Sequence, residues 1–130
     1  MPKNILIIDD NKLIAITLRR LLTREGYNVT TAASGKKALA LIAKSDFDLI
    51  MSDIKMPEMD GIETVRKIRE YLAQNGKHPI PEIFITGYAK EDIYQKALEL
   101  NAVGYLEKPF DIKGLLETTK QAIERGNYYN

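Results

Sequence analysis

The sequence predicts an α/β fold in which helices cover both faces of a doubly wound, five-stranded parallel sheet. Five short apolar or β-branched segments alternate with five helical patterns along the 130 residues. Strict alternation implies a parallel sheet, because parallel neighbours need a crossover connection. The segment at positions 5–8, Ile-Leu-Ile-Ile, is a continuous apolar run of the kind that is buried on both faces of a sheet.

The predicted strands lie at positions 5–8, 27–31, 47–52, 83–85 and 103–106. In the second strand, Tyr27, Val29 and Thr31 alternate as in a half-exposed strand, so we predict that it forms an edge of the sheet. The segment 75–81, NGKHPIP, is predicted to be a loop because of its glycine and proline content. Its lone His78 has no neighbouring acid or second histidine, and we predict a surface residue.

Apolar residues at helical spacing predict the five helices. The first helix is predicted to end near Glu25–Gly26, the third to begin at an Asp60–Gly61 turn and cap, and the last to end at Arg125–Gly126 with the glycine as a C-cap. One domain therefore spans 1–126, and 127–130 are predicted to be a C-terminal tail or a truncated linker. The apolar stripes are, in helix order, Ile14, Leu18, Leu21 and Leu22; Ala38, Leu39, Ile42 and Ala43; Val65, Ile68 and Leu72; Ile93, Ala97 and Leu100; and Ile112, Leu115, Leu116, Thr119 and Ile123.

Composition indicates one globular domain of ordinary size, with 45% hydrophobic and 28% charged residues. Lysine and arginine number 19 and aspartate and glutamate 18, and the resulting charge of +1 gives no field that attracts nucleic acid or an anionic membrane. The absence of cysteine excludes disulfides, thiol chemistry and thiolate metal sites. No signal peptide or spanning apolar run is present, so we expect a cytoplasmic protein.

Polar residues whose side chains can take part in binding or chemistry follow four of the predicted strands. Asp9 and Asp10 end the first strand, Asp53 ends the third, Thr86 ends the fourth and Lys108 follows the fifth. If the strand order is 2-1-3-4-5, these ends meet in one crevice, where open parallel sheets bind their ligands. Each residue alone has an ordinary explanation, and one of the first two aspartates is expected to cap the first helix. Independent accidents explain the joint placement poorly.

Charge restricts what such a crevice can bind. Two carboxylates about 4 Å apart repel by roughly 4 kcal/mol at an effective dielectric near 20, so three acids beside one lysine need a cation. Oxygen ligands without histidine or cysteine select a hard ion, with Mg²⁺ favoured and Mn²⁺ or Ca²⁺ as alternatives. Mg²⁺ with few protein ligands usually meets phosphate oxygens. A carboxylate can then form an aspartyl phosphate, while the metal and Lys108 neutralise charge.

The motifs at these strand ends resemble the receiver domains of two-component response regulators. They are IIDD at 7–10, MSDIKMPEMDG at 51–61, FITGYA at 84–89 and YLEKPF at 105–110, and the resemblance covers nearly the whole chain. It implies the flavodoxin-like order 2-1-3-4-5. It also implies a phosphoacceptor domain of a two-component or phosphorelay system. Such a domain is not a classical enzyme, but it promotes its own Mg²⁺-dependent phosphorylation and dephosphorylation.

The resemblance also implies a role for each residue of the crevice. Asp53 would accept a phosphoryl group from a phosphohistidine on a histidine kinase or a histidine phosphotransfer domain. Asp9 and Asp10 would hold Mg²⁺ directly or through water, with Asp53 and the backbone carbonyl of Lys55 as further ligands. Lys108 would pair with the phosphoryl group.

A conformational switch is implied by the same resemblance. Thr86 would donate its hydroxyl to the phosphoryl group, Gly87 would leave room for it, and Tyr105 would turn from exposed to buried; a static core tyrosine is the alternative. The fourth helix, fifth strand and fifth helix would then present a changed face to a downstream protein, in a monomer or a phosphorylation-dependent dimer. The Lys108–Pro109 bond is expected to be cis. Residues on or near this face are Tyr88, Ile93 and Tyr94.

Three other interpretations compete with a receiver. A flavin-binding module would need a phosphate-cradling loop after the first strand, where Asp9 and Asp10 would repel phosphate. A Mg²⁺-dependent phosphohydrolase would place its nucleophile at the end of that strand, with the second acid two positions on. A binding platform that is never phosphorylated would not need the full acid set. Lys55 is compatible with a phosphorelay intermediate, or is a plain surface lysine.

Overall fold

The computed structural model describes residues 2–87 and 91–126 and has the predicted architecture. Its elements are β1 (Asn4–Ile8), α1 (Lys12–Arg24), β2 (Asn28–Ala32), α2 (Gly35–Lys44), β3 (Leu49–Asp53), α3 (Gly61–Gln74), β4 (Glu82–Thr86), α4 (Glu91–Glu99), β5 (Gly104–Glu107) and α5 (Ile112–Gly126). All strands are parallel, in the order β2-β1-β3-β4-β5, which confirms the predicted fold class and makes β2 an edge. The predicted tail at 127–130, Tyr88 and the side chain of Tyr94 lie outside the described residues.

The sheet carries a hydrophobic core on each face, because successive residues of a strand point to opposite sides. On one face, Ile5 and Ile7 pack against α1 and α5. On the other, Leu6 and Ile8 pack against α2 and α3. A third cluster joins α3 and α4 over Phe84 of β4. Among the described residues, no helix combines the length and apolar character that crossing a membrane requires.

Two helix ends differ from the prediction. The cap of α1 is Asn11, whose Oδ1 accepts two backbone N–H groups of the first turn, so the expectation that Asp9 or Asp10 caps this helix is wrong. Asn11 lies next to the helix, and both aspartates are left for the pocket. At the other end of the chain, Gly126 is the last helical residue of α5 rather than a left-handed C-cap. A Cβ atom there would lie 2.7 Å from a side-chain carbon of Pro81, so a glycine is found at this position because there is no space for a side chain.

Two predicted core positions face solvent. Ala43 is exposed, because the buried stripe of α2 follows Ala38 and Ile42 instead. Ile112 is 56% exposed, since it is the first residue of α5 and precedes the buried stripe that begins at Leu115. These two errors share a cause. Helical spacing in the sequence includes every apolar residue on or near one face, whereas the sheet covers only part of that face.

A partly buried ion pair anchors α3 to the amino end of β4. Arg69 Nε and Nη2 donate to the two carboxylate oxygens of Glu82 at 2.8 and 2.7 Å. The Glu82 side chain is 6% exposed and that of Arg69 is 38% exposed. Bidentate charge-assisted pairs of this kind are stronger than neutral hydrogen bonds. The pair therefore ties a helix on one face to the first residue of a central strand.

Arg69→Met should lower the free energy of unfolding by about 2–3 kcal/mol, because it leaves the Glu82 carboxylate buried without its guanidinium partner. This is below the roughly 3–5 kcal/mol of a fully buried pair, since Arg69 is partly exposed. The control on the same helix is Lys67→Met: Lys67 lies 3.6 Å from a half-exposed Glu63, and its loss should change stability by less than about 0.5 kcal/mol. Urea unfolding at pH 7 measures both. Equal losses in the two variants would contradict the anchoring role.

Candidate metal and phosphoryl site

Three carboxylates converge at the carboxyl ends of β1 and β3. Asp9 and Asp10 directly follow β1, and Asp53 is the last residue of β3. One oxygen of each carboxylate lies within 4.8 Å of the others. They meet because β1 and β3 are parallel neighbours, so their carboxyl ends share one edge of the sheet. Asp9 is buried, Asp53 is partly buried and Asp10 is exposed, so the cluster reaches solvent at Asp10.

Backbone N–H groups and one lysine orient the two inner carboxylates. Asp9 Oδ1 accepts the N–H of Asn11 at 2.9 Å, and Asp53 Oδ1 accepts the N–H of Ile54 at 2.9 Å. Lys108 Nζ lies 3.5 Å from Asp9 Oδ2 and 3.7 Å from Asp53 Oδ2. Each carboxylate therefore has one oxygen held by the backbone and the other turned toward the ammonium group.

The environment raises the pKa of the Asp53 carboxyl above its ordinary value, and burial is the main cause. Lys108 opposes the rise by attraction, as does the N–H of Ile54, while Asp9 and Asp10 add to the rise by repulsion. One ammonium group beside three carboxylates leaves an excess of negative charge in the pocket.

The donor set suits a hard divalent cation. The three side chains offer only carboxylate oxygens, which are the ligands that Mg²⁺ and Mn²⁺ prefer in proteins. Lys55, whose backbone carbonyl is the further predicted ligand, follows Ile54 in the loop after β3 and has an exposed side chain.

The ends of β4 and β5 bring Thr86 and Lys108 to the neighbouring positions along the same edge. Thr86 is the last residue of β4 and is buried. Its carbonyl accepts the N–H of Lys108 at 2.7 Å, so the two residues are joined through the backbone. At Gly87, a Cβ atom would lie 3.2 Å from Cδ of Lys108, so a larger residue would crowd the lysine stem. The Lys108–Pro109 peptide bond is cis.

Tyr105 joins β5 to the end of α4. Its ring stacks on Phe84, with centroids 6.1 Å apart and an angle of 27° between the planes. Its hydroxyl donates to the carbonyl of Ala97 at 2.9 Å and accepts the N–H of Ala102 at 3.2 Å. The side chain is partly buried in this arrangement.

A tight connection between β3 and α3 holds the segment that carries Asp53. The N–H of Gly61 donates to the carbonyl of Ile54 at 2.7 Å. Asp60 caps α3, as predicted, by accepting the N–H of Glu63 at 2.8 Å. A Cβ atom at Gly61 would overlap the backbone carbonyl oxygen of Asp53. The glycine therefore allows α3 to begin directly against the end of β3.

Sequence reasoning missed three contributors to this site. Asn11 could have been found, because asparagine is as good an N-cap as aspartate and lies nearer the helix. The amide of Ile54, and the fully buried Thr64, whose hydroxyl donates to the carbonyl of Asp60 at 2.8 Å, leave no signal in a single sequence. His78 is exposed in the loop that precedes β4, at the opposite edge of the sheet, as its surface prediction requires.

Comparison with known proteins identifies the family. Residues 5–120 match the model of the response regulator receiver domain. The chain belongs to this family, the receiver domains of two-component and phosphorelay response regulators, and this membership sets aside the flavin-binding and phosphohydrolase interpretations.

Individual relatives agree with this membership. The chain is 36% identical to sporulation initiation phosphotransferase F of Bacillus subtilis, with 95% of each chain covered. It is also 36% identical to transcriptional regulatory protein ZraR of Escherichia coli, of which it spans only 26%. Among solved structures, a receiver domain protein from Methanospirillum hungatei has a TM-score of 0.89 at 32% identity, with 100% of both chains covered. Chemotaxis protein CheY4 of Vibrio cholerae has a TM-score of 0.82 at 33% identity, covering 94% of this chain and 99% of that one.

Asp53→Asn should raise the melting temperature by several degrees at pH 7 without divalent cations. Because the pKa of Asp53 is raised in the folded protein, folding disfavours the ionised carboxylate, and stability falls as pH rises above the ordinary value of 3.8. The side chain of the Asp53→Asn variant does not ionise and therefore does not destabilise the fold in this way. The difference in melting temperature between the variant and wild type should shrink as pH falls towards 3.8. Thermal unfolding at several pH values measures this, with the exposed Asp46→Asn as the control for one lost charge. A variant that melts at or below wild type at pH 7 would contradict the site's electrostatics.

Proposed function

We propose that this receiver domain accepts a phosphoryl group on Asp53 from a phosphohistidine of a histidine kinase or a histidine phosphotransfer domain. The observation that supports this most directly is the position of Asp53 Oδ2, which faces Lys108 Nζ at 3.7 Å within the cluster of three carboxylates. The other oxygen of Asp53 is held by the N–H of Ile54, so Oδ2 is the one available as a nucleophile.

Atoms balance in a direct transfer. Asp53 Oδ2 attacks the phosphorus atom of the phosphoimidazole, an O–P bond forms as the N–P bond breaks, and the electron pair leaves on the imidazole nitrogen. Transfers of this kind depend on positioning and on neutralising charge. Lys108 supplies positive charge beside the phosphoryl oxygens, and the hydroxyl of Thr86 donates a hydrogen bond to them.

The cation belongs to the same proposal. Asp9, Asp10 and Asp53 would hold Mg²⁺, or Mn²⁺ in its place, with the carbonyl of Lys55 as a further ligand. When bound, Mg²⁺ would neutralise charge on the transferring group. The same residues would support hydrolysis of the aspartyl phosphate, so the domain would promote both its own phosphorylation and its own dephosphorylation without being a classical enzyme.

Phosphorylation would also change the face formed by α4, β5 and α5. The modification adds about −1.5 to −2 charge units and three acceptor oxygens next to Thr86. Movement of Thr86 would reach Lys108 through their backbone hydrogen bond and would shift the balance between positions of Tyr105. A downstream protein would then distinguish the two states at this face.

The place of the domain in a pathway rests on its relatives. Similarity along 95% of a sporulation phosphotransferase supports a role as a phosphorelay intermediate for the receiver domain, which spans 1–126 here. Lys55, exposed beside the acceptor, is available to meet the phosphohistidine partner. We also propose that the protein is cytoplasmic and that it is a monomer or a phosphorylation-dependent dimer. It would make no direct contact with nucleic acid or a membrane.

Incubation with acetyl phosphate and Mg²⁺ should add one phosphoryl group to the intact protein, as measured by mass spectrometry. Phosphoramidate, which contains the N–P bond of phosphohistidine, serves as a second donor. Asp53→Asn and chelation of the metal should each abolish the adduct, whereas Asp46→Asn should retain it. Absence of an adduct and of phosphate release with both donors, or an adduct that persists in Asp53→Asn, would contradict the proposed acceptor.

Lys108→Gln should bind Mg²⁺ more tightly but should be phosphorylated more slowly. The ammonium group lies 3.5 and 3.7 Å from oxygens of Asp9 and Asp53, where it competes with the cation for both carboxylates. We expect roughly three- to tenfold tighter binding by calorimetry, a coupling of about 1 kcal/mol. The phosphorylation rate should fall by about 10²-fold, because a preorganised charge is lost. The exposed Lys12→Gln controls for charge, and unchanged Mg²⁺ affinity in Lys108→Gln would contradict the competition.

A further inference from the structure

We propose that Gly35, in the first turn of α2, is a positioning residue for the phosphoacceptor Asp53. Gly35 lies outside the acidic pocket and belongs to a different helix from the segment that follows Asp53. Its effect is transmitted through Thr64 of α3. This inference rests on the proposed function of Asp53 and concerns how a distant backbone contact sets the geometry of its carboxylate.

The contact between α2 and α3 leaves no room for a side chain at residue 35. A Cβ atom there would overlap the hydroxyl oxygen of Thr64 and would lie 2.9 Å from Sδ of Met59, inside the 3.0 Å that real Cβ atoms respect. Both Gly35 and Thr64 are buried, and Thr64 is fully so. The hydroxyl of Thr64 therefore occupies the space in which any larger residue at position 35 would begin.

Thr64 is linked to the acceptor by a continuous series of short hydrogen bonds. Its hydroxyl and its N–H both donate to the carbonyl of Asp60, at 2.8 and 3.0 Å. Gly61, which follows Asp60 in the chain, donates its N–H to the carbonyl of Ile54 at 2.7 Å. The N–H of Ile54 in turn donates to Asp53 Oδ1 at 2.9 Å. A displacement of Thr64 therefore reaches the amide that orients the reacting carboxylate.

The start of α3 is held from both sides, so it has little freedom to absorb a displacement. On one side, Gly35 meets Thr64; on the other, Gly61 lies so close to β3 that a Cβ atom would overlap the carbonyl oxygen of Asp53. The contact of Gly35 with the Thr64 side chain and the contact of Gly61 with the Asp53 backbone thus hold the turn at Asp60 from two sides. A methyl group at residue 35 either pushes this turn towards Asp53 or moves α2 away as a whole.

The test compares Gly35→Ala with alanine substitution at a remote glycine that is less crowded but also has little space for a side chain. At Gly104 of β5, a Cβ atom would lie 3.1 Å from a side-chain carbon of Thr118, far along the strand from the pocket, so Gly104→Ala serves as the control for lost stability. The measurements are the phosphorylation rate at saturating Mg²⁺, the Mg²⁺ affinity and the ¹H–¹⁵N resonance of the Ile54 amide. All are made on the full chain at a temperature where each variant is folded.

We expect Gly35→Ala to phosphorylate at least roughly tenfold more slowly, because small misplacements of reacting groups cost large factors in rate. The Ile54 resonance should shift in Gly35→Ala and stay in place in Gly104→Ala. Thr64→Ala removes the hydroxyl that residue 35 would meet. The double variant Gly35→Ala with Thr64→Ala should therefore react no more slowly than Thr64→Ala alone.

A wild-type rate and an unshifted Ile54 resonance in Gly35→Ala would overturn the inference and leave the glycine a packing requirement only. Independent, multiplying losses in the double variant would overturn it as well. If Gly35→Ala does not fold, Thr64→Val decides, since it keeps the shape but not the hydroxyl: a slowed rate supports the inference and an unchanged rate overturns it. If the wild-type chain takes no phosphoryl group, the proposed function fails, while the Ile54 resonance and the Mg²⁺ affinity still test the positioning.

Discussion

The repulsion among three carboxylates around one ammonium group is the constraint on which the rest of the structure depends. At 4.8 Å and an effective dielectric near 20, two such charges repel by about 3.5 kcal/mol. Lys108 offsets part of this, and the backbone amides of Asn11 and Ile54 each hold one carboxylate oxygen. The two cores on opposite faces of the sheet supply the stability that keeps these strand ends together. Added positive charge would therefore stabilise the pocket, and it would also favour the binding of a phosphoryl group there.

The precision of the site comes from α3 as much as from the strands that carry the acids. Gly61 brings the start of this helix against the backbone of Asp53, and Thr64 ties the capping turn from within. Farther along the same helix, Arg69 holds the first residue of β4 through a bidentate pair. One helix thus contacts β3 at its carboxyl end and β4 at its amino end. Its position therefore affects both the backbone that carries Asp53 and the placement of the strand that carries Thr86.

The sequence predicted the α/β class because that class follows from simple periodic rules, and it placed the polar residues of the pocket at the ends of the predicted strands. A continuous apolar run, an alternating edge and strict β-α alternation predicted a parallel sheet with β2 at its edge, whereas the strand order was implied by the resemblance to receiver domains. That order, which the structure has, brings Asp9, Asp53 and Lys108 together. Errors arose where local signals compete, as when Asn11 rather than an aspartate caps α1. Partnerships between distant residues, such as Gly35 with Thr64, are set by the packing of one helix on another. A single sequence holds no periodic trace of them.

The pocket has two sides with different origins, and the hydrogen bond from the N–H of Lys108 to the carbonyl of Thr86 joins the residues of one side. β1 and β3 contribute the acids, whereas β4 and β5 contribute the hydroxyl and the ammonium group, and the seam between the sides runs between β3 and β4. Since this hydrogen bond joins the backbones of Thr86 and Lys108, a displacement of one residue is passed to the other. A change in the loop between β5 and α5 that displaces the backbone of Lys108 would therefore also act on Thr86, whereas the acids of β1 and β3 lie on the other side of the pocket.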